Sequence, residues 1–516
     1  MSSLPMLTDE NMSLTFAQLE QLAVSFASGL VNRLGFRRDD VLAIVLPNTV
    51  FYPAVVLGTQ MAGGTVATAN PAYTSRELAH QLRLTEAKFV VTAQEKVPTV
   101  HEALRISSMV ISHERILTID GTRNNIRRIL AAKPFDRVRL TTYEQAKDTP
   151  AFIIFSSGTS GQPKGVVLTH RNMVANVLQN IEFDRADGVI RDADKRIPHQ
   201  AWMCVLPMFH SYGLTEIMLA GIAKGAHLIM MNGFQIRRFC ELAQKYRAIV
   251  AHLVPPILLQ IAKNPIVSQY DLSHFVYVNS AAAPLSKELQ NEAQQRLGAP
   301  VLQGYGLSET SPMSHRSQVA SSVAGSVGLL LSCMETKIID DSGKELEVGQ
   351  SGEVCMKGPN IMKGYLKNPQ ATAEAIDEDG FLHTGDIGHV DANGYYFITD
   401  RKKELIKYKG FQVAPAELEG LLTDHPAVID SAVIPVYDES RASEIPKAFV
   451  VIRPEKNVPG IADGVRAWVD SKVAGYKRLR GGVEIVDAIP KSATGKILRR
   501  VLRERESKKR TMNAKL

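Results

Sequence analysis

Apolar and polar positions along this chain switch between two periods. Residues 13–35 (SLTFAQLEQLAVSFASGLVNRLG) carry apolar side chains at helical spacing and stop at Gly35. Val41-Leu42-Ala43-Ile44-Val45-Leu46 is a continuous apolar run ending at Pro47, the pattern of a buried strand. Thr74-Ser75-Arg76-Glu77 has the spacing of a capping box, and 87–92 reads as strand again. Strands at 201–206, 226–231, 249–253 and 275–279 continue the alternation and predict an α/β fold with mainly parallel sheets flanked by helices. Residues 335–358 read instead as short strands with glycine turns, a small β-rich subdomain. Beyond Thr399, helices at 415–422 and 461–473 and strands at 428–436 and 447–453 predict a compact α+β unit. The chain is thus expected to divide into a large domain of residues 1–400 and a lid of residues 401–516. The most apolar stretch, 51–69, is interrupted by Pro53, Gln60 and Gly63-Gly64, which suits a buried core helix better than a membrane span.

Composition narrows the class. With 516 residues, 45% hydrophobic and 22% charged, the chain fits a soluble globular protein of more than one domain. The net charge of +7 is modest and gathers near the C-terminal end (Lys496, Arg499, Arg500, Arg503, Arg505, Lys508, Lys509, Arg510). It points to anionic small ligands or a solvated helix face, not to nucleic acid. Cys204, Cys240, Cys333 and Cys355 show no CxxC or metal spacing, so a reducing compartment and no structural zinc are expected. The N-terminus lacks the pattern of a signal peptide, and no internal repeat or low-complexity tract is present.

Candidate chemistry enters at residues 152–170, FIIFSSGTSGQPKGVVLTH. The β-formers Phe152–Phe155 lead into a loop, Val166-Val167-Leu168 resume a strand, and Thr169 is placed to start a helix. Residues 156–165 hold three glycines, four hydroxyl side chains and one lysine. Glycines permit the positive φ that aims backbone N–H groups into one concavity, hydroxyls add donors, and Lys164 brings charge suited to a polyphosphate. No G-x-x-x-x-G-K-[ST] fits, so this is not a Walker A loop; a plain Gly/Ser hairpin is the alternative. Further along stand Pro207-Met208-Phe209-His210-Ser211-Tyr212-Gly213, Gln303-Gly304-Tyr305-Gly306-Leu307-Ser308-Glu309-Thr310 and Pro490-Lys491-Ser492-Ala493-Thr494-Gly495-Lys496. Each has a bland counterpart: a satisfied histidine at a strand end, a Gly-rich turn, and a loop before a basic helix.

The loop SSGTSGQPKGV resembles the phosphate loop of the adenylate-forming (AMP-binding) superfamily, which includes acyl-CoA synthetases, 4-coumarate–CoA ligases, beetle luciferases and the adenylation domains of peptide synthetases. The other motifs follow in the family's order across nearly the whole chain, and KELIKYKGFQVAPAELE (403–419) with PMFHSYG is most similar to 4-coumarate–CoA ligase-like acyl-CoA synthetases. The resemblance implies ATP, Mg²⁺ and coenzyme A. It implies a carboxylic acid, aromatic and phenylpropanoid-like or a medium- to long-chain fatty acid, converted through acyl-AMP to a thioester with release of AMP and pyrophosphate.

It also implies roles. Ser156, Ser157, Gly158, Thr159, Ser160, Gly161 and Lys164 would hold the β- and γ-phosphates. Tyr305 would stack on adenine, with Gln303, Gly304 and Ala282 beside it. Ser308 would reach the α-phosphate, Glu309 would ligate Mg²⁺, and Asp386 with Arg401 would take the ribose. On that basis Asp386→Ala is expected to weaken ATP binding while barely altering the fold. His210 and Tyr212 would stand at the mouth of an acyl pocket that includes Glu216, Asn279, Ala281, Gly306, Pro312 and Met313; Glu216 would hydrogen-bond a polar group of the acid or point outward. Lys403 would be the pivot of a mobile lid, Lys407 and Gln412 would lie near the adenylate, Lys409 and Gly410 would face coenzyme A, and Lys496 would bridge α-phosphate and carboxylate. Ala281 stands where the family often has glycine, and Gly233 where relatives often have a lysine contacting coenzyme A. A luciferase-like oxygenase would share every motif. A carrier-loading domain would need a downstream carrier, and a non-catalytic nucleotide binder would normally lose Glu309 or Lys496. Finally, Ala514-Lys515-Leu516 is a conservative variant of the S-K-L address, so recognition by the peroxisomal import receptor is expected, with a cytoplasmic location otherwise.

Overall fold

The computed structural model describes residues 5–10, 12–121, 124–156, 163–188, 200–408, 411–438, 441, 443–492 and 495–513. The fold is α/β, with two large sheets built mainly from parallel strands. One is seven-stranded, in the order Gly364–Tyr365, Lys164–Thr169, Pro150–Ser156, Thr65–Thr68, Val41–Val45, Phe89–Thr92, Ile116–Thr118. Its strands are parallel from Pro150–Ser156 onward, with Val66 opposite Phe152 and Leu42 opposite Phe89, whereas Pro150–Ser156 and Lys164–Thr169 form an antiparallel pair. The other sheet is nine-stranded, and Tyr277–Ser280, Val250–Leu253, Ala201–Cys204 and His227–Met230 run parallel at its centre. These strands are buried along their whole length, which is why their sequences are apolar runs without alternation.

The helix signals hold locally. Thr15 and Gln18 cap Phe16–Leu34 reciprocally, and Gly35 ends it at φ 66°. Thr74 and Glu77 do the same for Ser75–Thr85, and Thr169 with Asn172 for His170–Ala186. The stretch 51–69 departs from the single core helix expected of it: Phe51–Met61 is helical, Gly63 turns the chain at φ 83°, and Thr65–Thr68 is a buried strand. No helix among the described residues is long and apolar enough to cross a membrane.

The β-rich segment forms a four-stranded antiparallel sheet, Glu335–Ile339, Gly352–Lys357, Leu382–Val390 and Tyr396–Arg401, in which Asp386 pairs with Arg401. One apolar core runs through the residues from Met6 to Leu382, and a separate one spans Ile406 to Leu502. The second packs the helices Pro415–Asp424 and Ile461–Lys472 against the sheet Val428–Asp438, Ser443–Ile452, Val483–Ile485.

Candidate active site

A cavity of about 550 Å³ opens between the antiparallel pair that carries Ser156 and Lys164, the segment from Gly306 to Met313, and a turn ending at Lys496. Lys164, Arg401, Lys402, Lys403 and Lys496 line it, with Glu309, Glu353 and Glu374. A predominance of cations around one concavity favours a polyanion.

At one end, Glu309 is clamped. Ser156 Oγ donates to its Oε1 at 3.1 Å and Tyr365 Oη donates to the same oxygen at 2.9 Å, while Oε2 accepts from no described residue. Lys164 Nζ sits 4.7 Å from the centre of the Tyr365 ring, so one tyrosine braces both the cation and the carboxylate. Tyr365 is absent from the sequence-derived site; its only signal is a Gly-Tyr pair in a short strand that joins Lys164–Thr169. Ser157, Gly158, Thr159, Ser160 and Gly161 lie outside the described residues. Ser308 lines the cavity with its Oγ 3.4 Å from Ser211 Oγ, and Ala282 lines it at φ 73°.

Lys496 reaches the cavity from the second core. Gly495 N donates to Ser492 O at 2.9 Å and Lys496 N to Ser492 Oγ at 3.1 Å, closing a tight turn. Gly495 has φ 78°, and an added Cβ would stand 3.1 Å from Pro256, so glycine lets the turn seat on Val254–Pro256 beyond the strand Val250–Leu253. Burial, with the Arg401 charge nearby, lowers the Lys496 pKa to about 8. Burial, and then Lys496 itself, lowers the His210 pKa to about 4, so this imidazole is neutral at pH 7. Its Nδ1 accepts from Tyr212 N at 3.4 Å.

The ribose candidate, Asp386, is bound into the fold more deeply than a residue that only met a ligand would be. Asp386 is 4% exposed; its Oδ2 accepts from Tyr305 Oη at 2.6 Å and its Oδ1 pairs with Arg401 Nε at 3.3 Å. Burial raises its pKa, with Arg401 opposing the shift. Asp386 is therefore a buried brace, and its removal cannot leave the fold untouched. Gln303 is turned to Gln290, Nε2 donating at 3.0 Å, and Gln303, Gly304, Tyr305 and Asp386 do not line the cavity.

Tyr212, Ala281, Gly306, Pro312 and Met313 line the same cavity as His210 and make up its candidate acyl slot. A Cβ on Gly306 would fall 1.8 Å from Pro312 O, so glycine permits these two walls to approach. Tyr212 opens the π-helical segment Tyr212–Leu219, and its Oη accepts from Asn279 Nδ2 at 3.2 Å beneath the slot. Glu216, on that segment, neither lines the cavity nor points outward. It is 2% exposed, accepts from Asn180 Nδ2 at 2.7 Å, and burial raises its pKa to about 7. Arg316 holds Asn180 Oδ1 at 3.1 Å and Asp184 at 2.9 Å, and Lys224 also pairs with Asp184. This buried polar cluster escaped sequence reading because its members come from three separate segments.

Lys407 is exposed and outside the cavity; its backbone N donates to Glu444 Oε2 at 2.8 Å, and it pairs with Gln412 in a short hairpin. Lys409, Gly410 and Ala514-Lys515-Leu516 lie outside the described residues.

The cationic lining, the clamped glutamate and the lysine brought in from the second core suit a polyanionic ligand. The chain belongs to the AMP-binding enzyme family: the model of that family matches residues 2–366, and that of the AMP-binding enzyme C-terminal domain matches residues 417–496. It is 39% identical to 4-coumarate-CoA ligase 1 of Narcissus pseudonarcissus over 96% of this chain and 89% of that protein. The fold matches ATP-bound MatB from Rhodopseudomonas palustris with a TM-score of 0.85 at 28% identity, covering 97% of this chain and 95% of that one. It matches a benzoate CoA ligase from Burkholderia xenovorans LB400 with a TM-score of 0.83 at 25% identity, covering 97% of each chain.

Proposed function

We infer that the protein is an AMP-forming acid–thiol ligase, an acyl-CoA synthetase that works through an acyl-AMP intermediate. The observation that carries this reading is a single cavity lined both by Lys496 and the clamped Glu309 and by the apolar Ala281, Pro312 and Met313 with Tyr212.

In the first half-reaction a carboxylate oxygen attacks the α-phosphorus of ATP, the bond to the pyrophosphate oxygen breaks, and pyrophosphate leaves. This step asks for positioning and charge neutralisation. Lys164 and Lys496 supply positive charge, and His210, neutral at pH 7, stands in the same cavity as an uncharged polar group. A Mg²⁺ ion suits Glu309, a hard oxygen donor with one oxygen fixed and the other free of described partners; when bound it offsets phosphate charge. In the second half-reaction the sulfur of coenzyme A attacks the acyl carbon, the bond to the AMP oxygen breaks, and AMP leaves. In this reading the lid of residues 401–516 turns about Lys403 between the two steps, withdrawing Lys496 and bringing up Lys409-Gly410.

The slot suits a flat or aliphatic body. Aromatic acids are the first choice, because the ligases named above act on 4-coumarate and benzoate. Pyrophosphate release measured over aromatic, medium-chain and long-chain acids, with and without coenzyme A, tests the reading. Acid-dependent pyrophosphate and AMP with thioester product is expected; ADP and phosphate as products would overturn it. Peroxisomal import through Ala514-Lys515-Leu516 is a separate proposal. Deleting these residues should leave activity intact and disperse a fluorescent fusion, and a deletion still found in peroxisomes would refute it.

A further inference from the structure

Beside the cavity, two paired strands gather side chains that the reaction does not use. Glu353 and Cys355 are two residues apart on Gly352–Lys357 and so share one face, and Cys355 pairs with His383 across the ladder to Leu382–Val390. Cys355 Sγ lies 3.6 Å from His383 Nδ1, and Glu353 Oε1 lies 3.9 Å from the same nitrogen. The three ligand atoms all fall within 4.8 Å of one another. Ligands at about 2.0–2.3 Å from a tetrahedral Zn²⁺ stand roughly 3.3–3.8 Å apart, so this trio is somewhat wider than one face of such a tetrahedron and would draw together on an ion.

The far side of the ring is arranged to match. His383 Nε2 is 3.3 Å from Asp377 Oδ2, an acceptor that also receives Lys337 Nζ at 2.9 Å. A carboxylate at Nε2 draws the ring proton there and leaves a lone pair on Nδ1, the nitrogen that meets Cys355 and Glu353. Imidazoles bound to zinc have this support. Glu353 is oriented in turn: Gly385 N donates to Oε1 at 3.1 Å, and Lys402 Nζ holds Oε2 at 3.1 Å. Spacing along the chain conceals the set, because His383 lies 28 residues from Cys355 and neither belongs to a metal motif.

We propose that Glu353, Cys355 and His383 form a Zn²⁺ site with water in the fourth position. Thiolate, imidazole and a single carboxylate suit zinc over magnesium. Glu353 and His383 also line the nucleotide cavity, so metal there draws together the wall beside Asp386. The site is independent of the ligase reading, and its test follows the metal and not turnover.

The full-length protein, with Cys333 changed to Ser so that the exposed thiol does not compete with the buried Cys355, is titrated with Co²⁺. One equivalent should raise a thiolate-to-cobalt charge-transfer band that Zn²⁺ removes stoichiometrically. Cys355→Ser should abolish the band, and Asp377→Asn should weaken Co²⁺ binding about tenfold. Circular dichroism establishes that each variant is folded, and His383→Gln supplies the same reading if Cys355→Ser does not fold. No band in the folded protein, or a band and affinity unchanged in either ligand variant, would overturn the proposal.

Discussion

Lys496 shows how burial sets the pH range of a functional group. In the proposed reaction its charged form is the useful one, and removal from water lowers its pKa to about 8. A lysine held below its ordinary value is cationic at lower pH and loses its proton as pH rises through that pKa. The kcat/KM for acyl-AMP formation should therefore be level up to about pH 7 and fall as pH rises through about 8. Lys496→Arg should abolish that alkaline limb, because a guanidinium keeps its charge there, although the rate itself will be lower. A pyrophosphate-release profile against pH for both proteins checks this. Asp386 gives the opposite lesson. Asp386→Ala removes the acceptor of Tyr305 Oη and leaves Arg401 without its carboxylate. A melting temperature lowered by the loss of about 2–3 kcal/mol should accompany any rise in KM for ATP; an unchanged melting temperature would refute the bracing role. The motif around Asp386 was legible, but the bracing was not, since Tyr305 lies 81 residues away and no local pattern links them.

Elements with their signals packed into a few residues were read well: capping boxes at Thr15 and Thr74 and the buried parallel strands have local causes. Segment 51–69 was misjudged because composition does not reveal which side of Gly63-Gly64 joins a sheet. The turn that carries Lys496 is anchored at its far end by Arg499, which no motif assigns. Arg499 Nη2 forks onto Glu419 at 2.9 and 2.7 Å, Nη1 meets Glu404 at 2.6 Å, and Nε donates to Val433 O at 3.2 Å. Arg499→Met strands two half-buried carboxylates, Glu404 and Glu419. It should cost about 3–5 kcal/mol in chemical denaturation of the second core and slow adenylation by unseating the turn. Rescue of the melting temperature at acidic pH, where Glu419 can protonate, would separate the electrostatic cause from lost packing.

Across the whole molecule, two apolar cores share one cavity, and only residues 401–406 of the main chain lead from the last strand of one into the other. Lys403 lies in that turn, exposed, with its N–H bonded to no described residue. If the proposed rotation about this residue operates, Lys403→Pro should retain most acyl-AMP formation and lose thioester formation from supplied acyl-AMP. Lys496→Ala should show the reverse, losing adenylation by roughly a hundredfold. Single-turnover assays of each half-reaction decide it; equal losses in both steps for both variants would exclude the alternation.

The seating of the Gly495 turn on Val254–Pro256 has a consequence for escape. In the proposed reaction, while that turn is down, the lysine that meets the mixed anhydride is also part of the cavity wall. If the proposed rotation operates, departure of the adenylate would wait on a body of more than a hundred residues swinging through solvent, a motion opposed by friction and not by chemistry. Added viscogen should slow steady-state turnover nearly in proportion to viscosity and leave the single-turnover adenylation rate unchanged. Weakening the seat with Gly495→Ala should let acyl-AMP leak into solution, where it hydrolyses without thioester being made.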